Sequence, residues 1–183
     1  MLTTSGVINA DTALHLPDFR ASERTFQLVA QVAGRTGRGK RGGRVLVQTL
    51  NPEHPAIMAA VRHDYPRFAA HELMTRRAAH YPPFASMIRL IVRGPAEAMA
   101  RETAVTLGER LRRAIADIGD KGPRVVGPGT APIAKLRGEF RFHLQLQGPD
   151  GTVLRQVVRD AATGFTAPEG VRWIADVDPW DMQ

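Results

Sequence analysis

Cysteine is absent from the 183-residue sequence, which excludes disulfides and thiolate metal sites in this chain. The six histidines are scattered without metal-ligand spacing, so we predict no metal site. No run of about 18 apolar residues occurs, which predicts no membrane span. The first residues also lack the basic and then apolar stretches of a secretory signal. Together these absences predict a cytoplasmic protein with no membrane partner.

The parts of a complete ATP-hydrolysing site are also missing. The sequence contains no G-x-x-x-x-G-K-[ST] phosphate loop, and no Asp-Glu pair follows a suitable strand to hold magnesium. The run GRGKR at 37–41 is not a substitute for that loop. We therefore do not expect the chain to hydrolyse ATP by itself.

Positive charge is concentrated in one segment of the chain. The net charge is +7. Residues 20–44 hold seven Lys or Arg and one Glu, whereas the remainder holds 18 basic and 17 acidic residues. Such a local positive field predicts attraction of a polyanion. The alternative interpretation is a solubilising run of charge.

A predicted helix begins near residue 22 and continues into the sequence QVAGRTGR at 31–38. Polar side chains recur at intervals of three or four residues along one face, namely Arg24, Gln27, Gln31, Arg35 and Arg38. Apolar residues repeat on another face, which we predict to be buried: Phe26, Leu28, Val29, Val32 and Ala33. No acidic residue interrupts the polar face, and arginine forks match phosphate oxygens. Gly34 and Gly37 would permit close approach of a backbone or a ligand.

The pattern Q-x-x-G-R-x-G-R at 31–38 looks like motif six of superfamily-2 helicases. Several further runs narrow the resemblance: NADT at 9–12, HLPDFR at 15–20, ERTFQL at 23–28, HDY at 63–65, YPPF at 81–84, GP at 127–128 and DVDP at 176–179. With these runs, nearly the whole chain resembles the primosomal protein N′ family of replication-restart helicases.

The resemblance implies the C-terminal part of an ATP-dependent 3′-to-5′ DNA helicase that assembles a primosome at forked DNA. The resemblance also implies that Arg35 and Arg38 are catalytic residues, with Arg38 as the arginine finger. It implies that Gln31 and Gly34 sense the nucleotide phosphate. ATP and Mg²⁺ would be cofactors of the complete protein. The zinc-binding cysteines of the family are absent from this chain. The implied partners are forked or single-stranded DNA, single-stranded DNA-binding protein and other primosome proteins.

Residues 1–50 follow the strand–helix–strand order of a parallel sheet, so we predict the end of a RecA-like helicase lobe 2. Val7 and Ile8 form the predicted end of a buried strand, and residues 44–49 form the next strand. Asp11 lies just after the first strand, where two interpretations remain open: contact with nucleotide or DNA, and a strand-end cap. The abrupt start predicts a truncated piece that begins inside the lobe.

Two helices, one ending near residue 62 and one over 64–80, form a predicted connector at 51–84. Residues 85–183 then predict a ferredoxin-like β-α-β-β-α-β domain. Its predicted elements are a strand at 87–92, a helix at 95–119, strands at 124–127 and 141–147, a helix at 152–162 and a strand at 171–177. By resemblance this C-terminal domain assists DNA binding.

Basic residues near Phe140 suggest DNA contact by a predicted loop at 131–141, since such a combination suits single-strand binding. The alternative places Phe140 in the core and leaves the charges solvated. The predicted DNA-binding residues of the whole chain are Arg20, Lys40, Arg41, Lys135, Arg137 and Arg141. We predict packing roles for Trp173 and Trp180, and a structural strand end at 176–179.

Two other functions remain open. One is a stand-alone nucleic-acid-binding module without ATPase activity, built around the C-terminal domain. The other is an RNA-binding protein with a basic loop. An upstream reading frame that encodes the missing helicase motifs would favour the helicase, whereas proof that Met1 is the true start would favour the module.

Overall fold

The computed structural model describes residues 3–12, 14–15, 18–36, 43–119 and 122–179. The chain divides into two compact units, Met1–Arg76 and Arg77–Gln183. The first contains a parallel two-stranded sheet and the second a four-stranded sheet of antiparallel pairs. The predicted mixed α/β character is therefore confirmed. The predicted division into 1–50, 51–84 and 85–183 stays a prediction.

The first unit begins with a strand–helix–strand arrangement. Strand β1 (Thr3–Val7) pairs in parallel with β2 (Gly43–Val47), and helix α1 (Ala21–Thr36) lies between them in sequence. A short 3₁₀ turn, Ala10–Thr12, follows β1. The prediction of a buried Ile8 is wrong: Ile8 is 83% exposed, because β1 ends at Val7 and the backbone turns at Asn9 with a φ of 55°.

Two further helices complete the core of this unit, α2 (Pro55–Val61) and α3 (Tyr65–Ala79). The Phe26 ring of α1 stacks on the Phe68 ring of α3 with centroids 4.5 Å apart. Buried alanines on α2 join the same core, and their small side chains let neighbouring elements approach closely. The predicted connector helices are therefore present, and part of them packs with α1.

The second unit has the predicted order β-α-β-β-α-β. Its elements are β3 (Ser86–Gly94), α4 (Glu97–Ile115), β4 (Arg124–Leu136), β5 (Glu139–Gly148), α5 (Gly151–Ala162) and β6 (Arg172–Val177). The sheet has the strand order β4-β5-β3-β6. Consecutive strands of the chain are therefore not always neighbours, and each helix connects two strands that are separated in the sheet.

Alternation along the strands separates the two faces of this sheet. Leu90 and Val92 of β3 and Leu144 of β5 pack in one core cluster with Leu107 of α4 and Leu154 of α5. Trp173 packs against that cluster, as predicted, whereas Trp180 lies outside the described residues. Side chains at the intervening positions of the strands face away from the helices.

The structure corrects the predicted loop at 131–141. Strand β4 continues from Arg124 to Leu136, and a turn at Arg137 and Gly138, with φ values of 52° and 85°, leads directly into β5. The predicted strand ends before Pro128, because proline donates no ladder hydrogen bond. Instead, the β4–β5 pairing shifts register between Val126/Gly129 and between Thr130/Lys135, which accommodates Pro128 and Pro132 within one irregular strand.

Candidate functional site

The C-terminal turns of α1 contain the first residues of the Q-x-x-G-R-x-G-R pattern at 31–38, which we call the arginine motif. Gln31, Gly34 and Arg35 are all exposed. Neither the Gln31 nor the Arg35 side chain forms a hydrogen bond or ion pair within the part of the chain that the structure describes. A Cβ added at Gly34 would meet no described atom within 4 Å. This end of the helix is therefore open to a ligand or to another segment.

The N-terminal half of the same helix differs from the prediction of an acid-free polar face. Arg24 pairs with Asp18 across 3.1 Å, and the Gln27 side-chain amide donates to Glu23 at 3.3 Å. The predicted burial of Leu28 is also wrong, since 45% of it is exposed. Local acids thus occupy the first part of the polar face, and only its last part presents side chains without a described partner.

Glu23 also connects α1 to α3 through Arg76. The Arg76 guanidinium donates to Glu23 Oε2 and to Glu72 Oε1, each at 2.8 Å, and lies 5.2 Å from the centroid of the Phe19 ring. Only 12% of the Arg76 side chain is exposed. This network is not apparent from the sequence, because Arg76 and Glu23 are 53 positions apart. Only the Glu72–Arg76 spacing of four residues is a local signal.

Arg20 lies at the opposite end of α1 from Arg35. Its guanidinium carbon is 5.2 Å from the Phe19 ring centroid, and its backbone N–H donates to Asp18 Oδ1 at 2.9 Å. At 1.5 Å per helical residue, about 22 Å separates Arg20 from Arg35 along the helix. The structure therefore does not bring these two predicted site residues together. Arg38, Lys40 and Arg41 lie outside the described residues.

Asp11 is buried, with 2% exposed, in the 3₁₀ turn after β1. Its carboxylate accepts hydrogen bonds from the Leu50 backbone N–H at 2.8 Å, the Thr49 hydroxyl at 2.9 Å and the Asn51 side-chain amide at 3.0 Å. The Leu50 hydrogen bond is the main reason that the pKa of Asp11 lies below its ordinary value. Of the two interpretations, this geometry is that of a strand-end cap, which joins the segments following β1 and β2.

The predicted DNA contacts of the second unit cluster at the tip of the β4–β5 hairpin. Lys135 and Arg137 are exposed, and Arg141 is half-buried near the start of β5. Phe140 packs against the core, and Lys135 Nζ lies 4.5 Å from its ring centroid. Since protein atoms occupy the surroundings of this ring, the geometry favours the packing interpretation of Phe140 over base stacking.

The described ranges contain neither a metal-ligating cluster nor a membrane-spanning helix. No group of three or more His, Cys, Asp or Glu side chains is arranged to hold a metal ion. Among the helices seen there, none has the length and apolar character needed to cross a membrane.

The antiparallel sheet and the two helices that connect its strands define the second unit as a split βαβ domain. A family model described as "Primosomal protein N C-terminal domain" matches residues 77–180, nearly all of this unit. The chain therefore belongs to that family.

The relatives extend the similarity to both units. A "Replication restart protein PriA" from Treponema pallidum (strain Nichols) is 40% identical over 174 residues, which cover 95% of this chain and 26% of that protein. The protein of the same name from Bacillus subtilis (strain 168) is 36% identical over 158 residues, covering 86% of this chain and 19% of the relative. The chain thus spans about a fifth to a quarter of the length of these relatives.

Among solved structures, the designed protein Foldit4 is similar with a TM-score of 0.39 and 13% identity, over 53% of this chain and 99% of that protein. A similarity this distant supports no inference about function.

Proposed function

We propose that this chain is the C-terminal part of an ATP-dependent 3′-to-5′ DNA helicase that restarts replication at forked DNA. In this proposal, Arg35 and Arg38 act on the ATP phosphates from the lobe opposite the nucleotide, and the second unit binds DNA. The observation that carries the proposal is the open C-terminal end of α1, where exposed Gln31, Gly34 and Arg35 have no described partner. The relatives named for replication restart supply the biological context.

The small sheet of the first unit supports its assignment to a larger RecA-like lobe. Parallel sheets usually have both faces covered, and two strands alone are marginally stable. Large apolar side chains in or next to the β1–β2 pair, Ile8, Leu46 and Leu50, are nevertheless exposed, as is Leu28 of α1. Further strands and helices of a longer polypeptide would cover such side chains and extend the sheet.

The remaining components would come from the complete protein. ATP and Mg²⁺ would bind to a phosphate loop and a carboxylate outside this chain, and Gln31 would sense or position the γ-phosphate. Zinc would be held by cysteines that this sequence lacks. Single-stranded DNA-binding protein and other primosome proteins would be partners at the fork.

The test is a paired measurement on a longer protein that contains this chain and a nucleotide-binding lobe. We expect Arg35→Ala and Arg38→Ala each to lower ATP turnover at saturating DNA by about 10³–10⁵-fold, as for other arginine fingers. DNA affinity without nucleotide should change little. Arg67→Ala, which removes an exposed arginine from the first turn of α3, is the control and should preserve turnover.

Full turnover combined with weakened DNA binding in both motif variants would contradict the arginine-finger assignment. It would instead assign both arginines to DNA contact, in line with the basic segment at 20–44.

A further inference from the structure

Strand register in the second unit aligns three arginines that are distant in sequence. Arg93 of β3 is directly opposite Arg141 of β5 on one side and Arg172 of β6 on the other. Neighbouring strands lie about 4.8 Å apart, so the three positions form one row about 10 Å long across the sheet. We call Arg93, Arg141 and Arg172 the arginine row.

The arginine row faces away from the helices. The adjacent row along the strands contains Val92, Phe142 and Trp173, which pack in or against the core beneath α4 and α5. Because side chains alternate between the faces of a sheet, the arginines lie on the opposite face. The side chains of Arg93 and Arg172 are 40% and 63% exposed, respectively.

Negative charge compensates the arginine row only in part. Glu139 accepts a hydrogen bond from Arg172 at 2.5 Å, and its other oxygen lies 3.8 Å from Arg93 Nε, too far for a hydrogen bond. Like charges directly opposite one another destabilise a sheet. Burial, together with Arg89 and Arg141, lowers the pKa of His143, two positions after Arg141 on β5, which disfavours a further positive charge there. The row thus keeps about two uncompensated positive charges.

The surroundings of the row indicate the chemistry of its ligand. A shallow hollow of ≈ 120 Å³ beside it has Ile91 and Ile174 among its lining residues and is edged by Arg137 of the hairpin turn. The aromatic side chains of β5 and β6, Phe140, Phe142 and Trp173, belong to the core side, so they provide no stacking platform on this face. Guanidinium forks without stacking rings match phosphate groups and not exposed bases.

We propose that the arginine row binds the phosphate backbone of duplex DNA without reading its bases. The proposal rests on the DNA-binding function proposed above and adds Arg93 and Arg172, which no sequence pattern indicates. Duplex DNA is the favoured occupant because it presents continuous phosphates while its bases remain stacked inside. Arg137 extends the same positive surface toward the hairpin tip.

The experiment measures the affinity of the 183-residue chain for duplexes of two unrelated sequences over a range of salt concentrations. Each phosphate neutralised on a duplex contributes about −0.9 to the slope of log K against log salt. We therefore expect the double variant Arg93→Gln/Arg172→Gln to reduce the magnitude of this slope by about 1.8 for both duplexes. The matched control, Arg155→Gln/Arg159→Gln, removes two exposed arginines from α5 in the helix layer and should keep the wild-type slope.

A third variant separates electrostatics from structural damage. Glu139→Gln removes the acid beside the row and should tighten duplex binding, whereas a merely damaged sheet would weaken it. Two results would contradict a DNA site at the arginine row: wild-type affinity and slope in the double variant, or an equal loss of slope in the α5 control. Neither result would contradict the proposal that the chain binds DNA. Failure of the wild-type chain to bind any duplex would overturn the proposed DNA-binding function as well.

Discussion

Asp11 shows how one carboxylate organises the loops after both strands of the parallel sheet. It is buried, and its three hydrogen-bond donors all belong to residues 49–51, which follow β2. A carboxylate can accept several hydrogen bonds, whereas an amide of the same shape replaces one acceptor oxygen with a donor. The position therefore specifies an ionised aspartate for a structural reason.

We predict that Asp11→Asn weakens the link between the loops at 9–12 and 49–51. The substitution leaves at least one donor without an acceptor, and a buried unsatisfied donor is costly. The Leu50 amide should exchange its hydrogen faster, and the chain should unfold at a lower temperature. Asp117→Asn, at an exposed position after α4, is the control and should change neither. Unaltered exchange at Leu50 in the Asp11 variant would contradict the predicted role.

The same residue predicts a pH dependence of stability. Hydrogen bonding, chiefly from the Leu50 N–H, holds the pKa of Asp11 below its ordinary value of 3.8 in the folded protein. Its stabilising contribution is therefore complete above that ordinary value and is lost as the pH falls through the folded pKa. The difference in melting temperature between wild type and Asp11→Asn should be constant near neutrality and shrink in acid. A difference that grows in acid would show that the carboxylate does not stabilise the fold in its ionised form.

At the scale of the element, helix α1 contains Gly34, although the described neighbouring residues would leave room for a larger side chain there. Glycine within a helix costs about 1 kcal/mol relative to alanine, and a Cβ at Gly34 would meet no atom within 4 Å in the described residues. Gly108 of α4 is different, because a Cβ there would lie 2.9 Å from Leu144 Cδ2 in the core. The described residues therefore leave room for another group to approach the helix at Gly34.

We predict opposite effects of the same substitution at these two glycines. Gly34→Ala should leave the melting temperature of the chain unchanged or raise it, yet lower ATP turnover of the longer protein because the methyl group obstructs the approach. Gly108→Ala should lower the melting temperature, because Leu144 is fully buried and cannot move freely. Thermal unfolding and turnover assays test both. If Gly34→Ala kept full ATP turnover, no group would need to approach the helix closely at Gly34 during the reaction.

The elements that the sequence predicted well depend on local patterns. Helix α1 and strands β3 and β5 follow from periodic apolar residues, and the structure has them within a few residues of the predicted bounds. Strand β4 was predicted too short because prolines interrupt its ladder, and only pairing with β5 shows that it continues. The arginine row and the Glu23–Arg76 link were missed for a related reason: both join residues distant in sequence, which spacing along one element cannot reveal.

At the scale of the whole molecule, the two units carry different parts of the proposed function. The first presents the arginine motif at the end of α1, together with exposed apolar side chains near a two-stranded parallel sheet. The second has its own core and a charged sheet face. Because the chain spans only about a quarter of the length of its Treponema pallidum relative, the catalytic proposal concerns a longer protein.

The most direct test of the central claim compares the affinities of that longer protein for ADP and for ADP with fluoroaluminate, which mimics the transferring phosphoryl group. An arginine finger acts mainly in the transition state, and transition-state analogues bind at least about 10²-fold more tightly than ground-state ligands. We expect wild type to prefer the analogue by this margin, and Arg35→Ala and Arg38→Ala to lose most of the preference while still binding ADP. If both variants kept the wild-type preference, Arg35 and Arg38 would not contact the transferring phosphate, and the central claim would be contradicted.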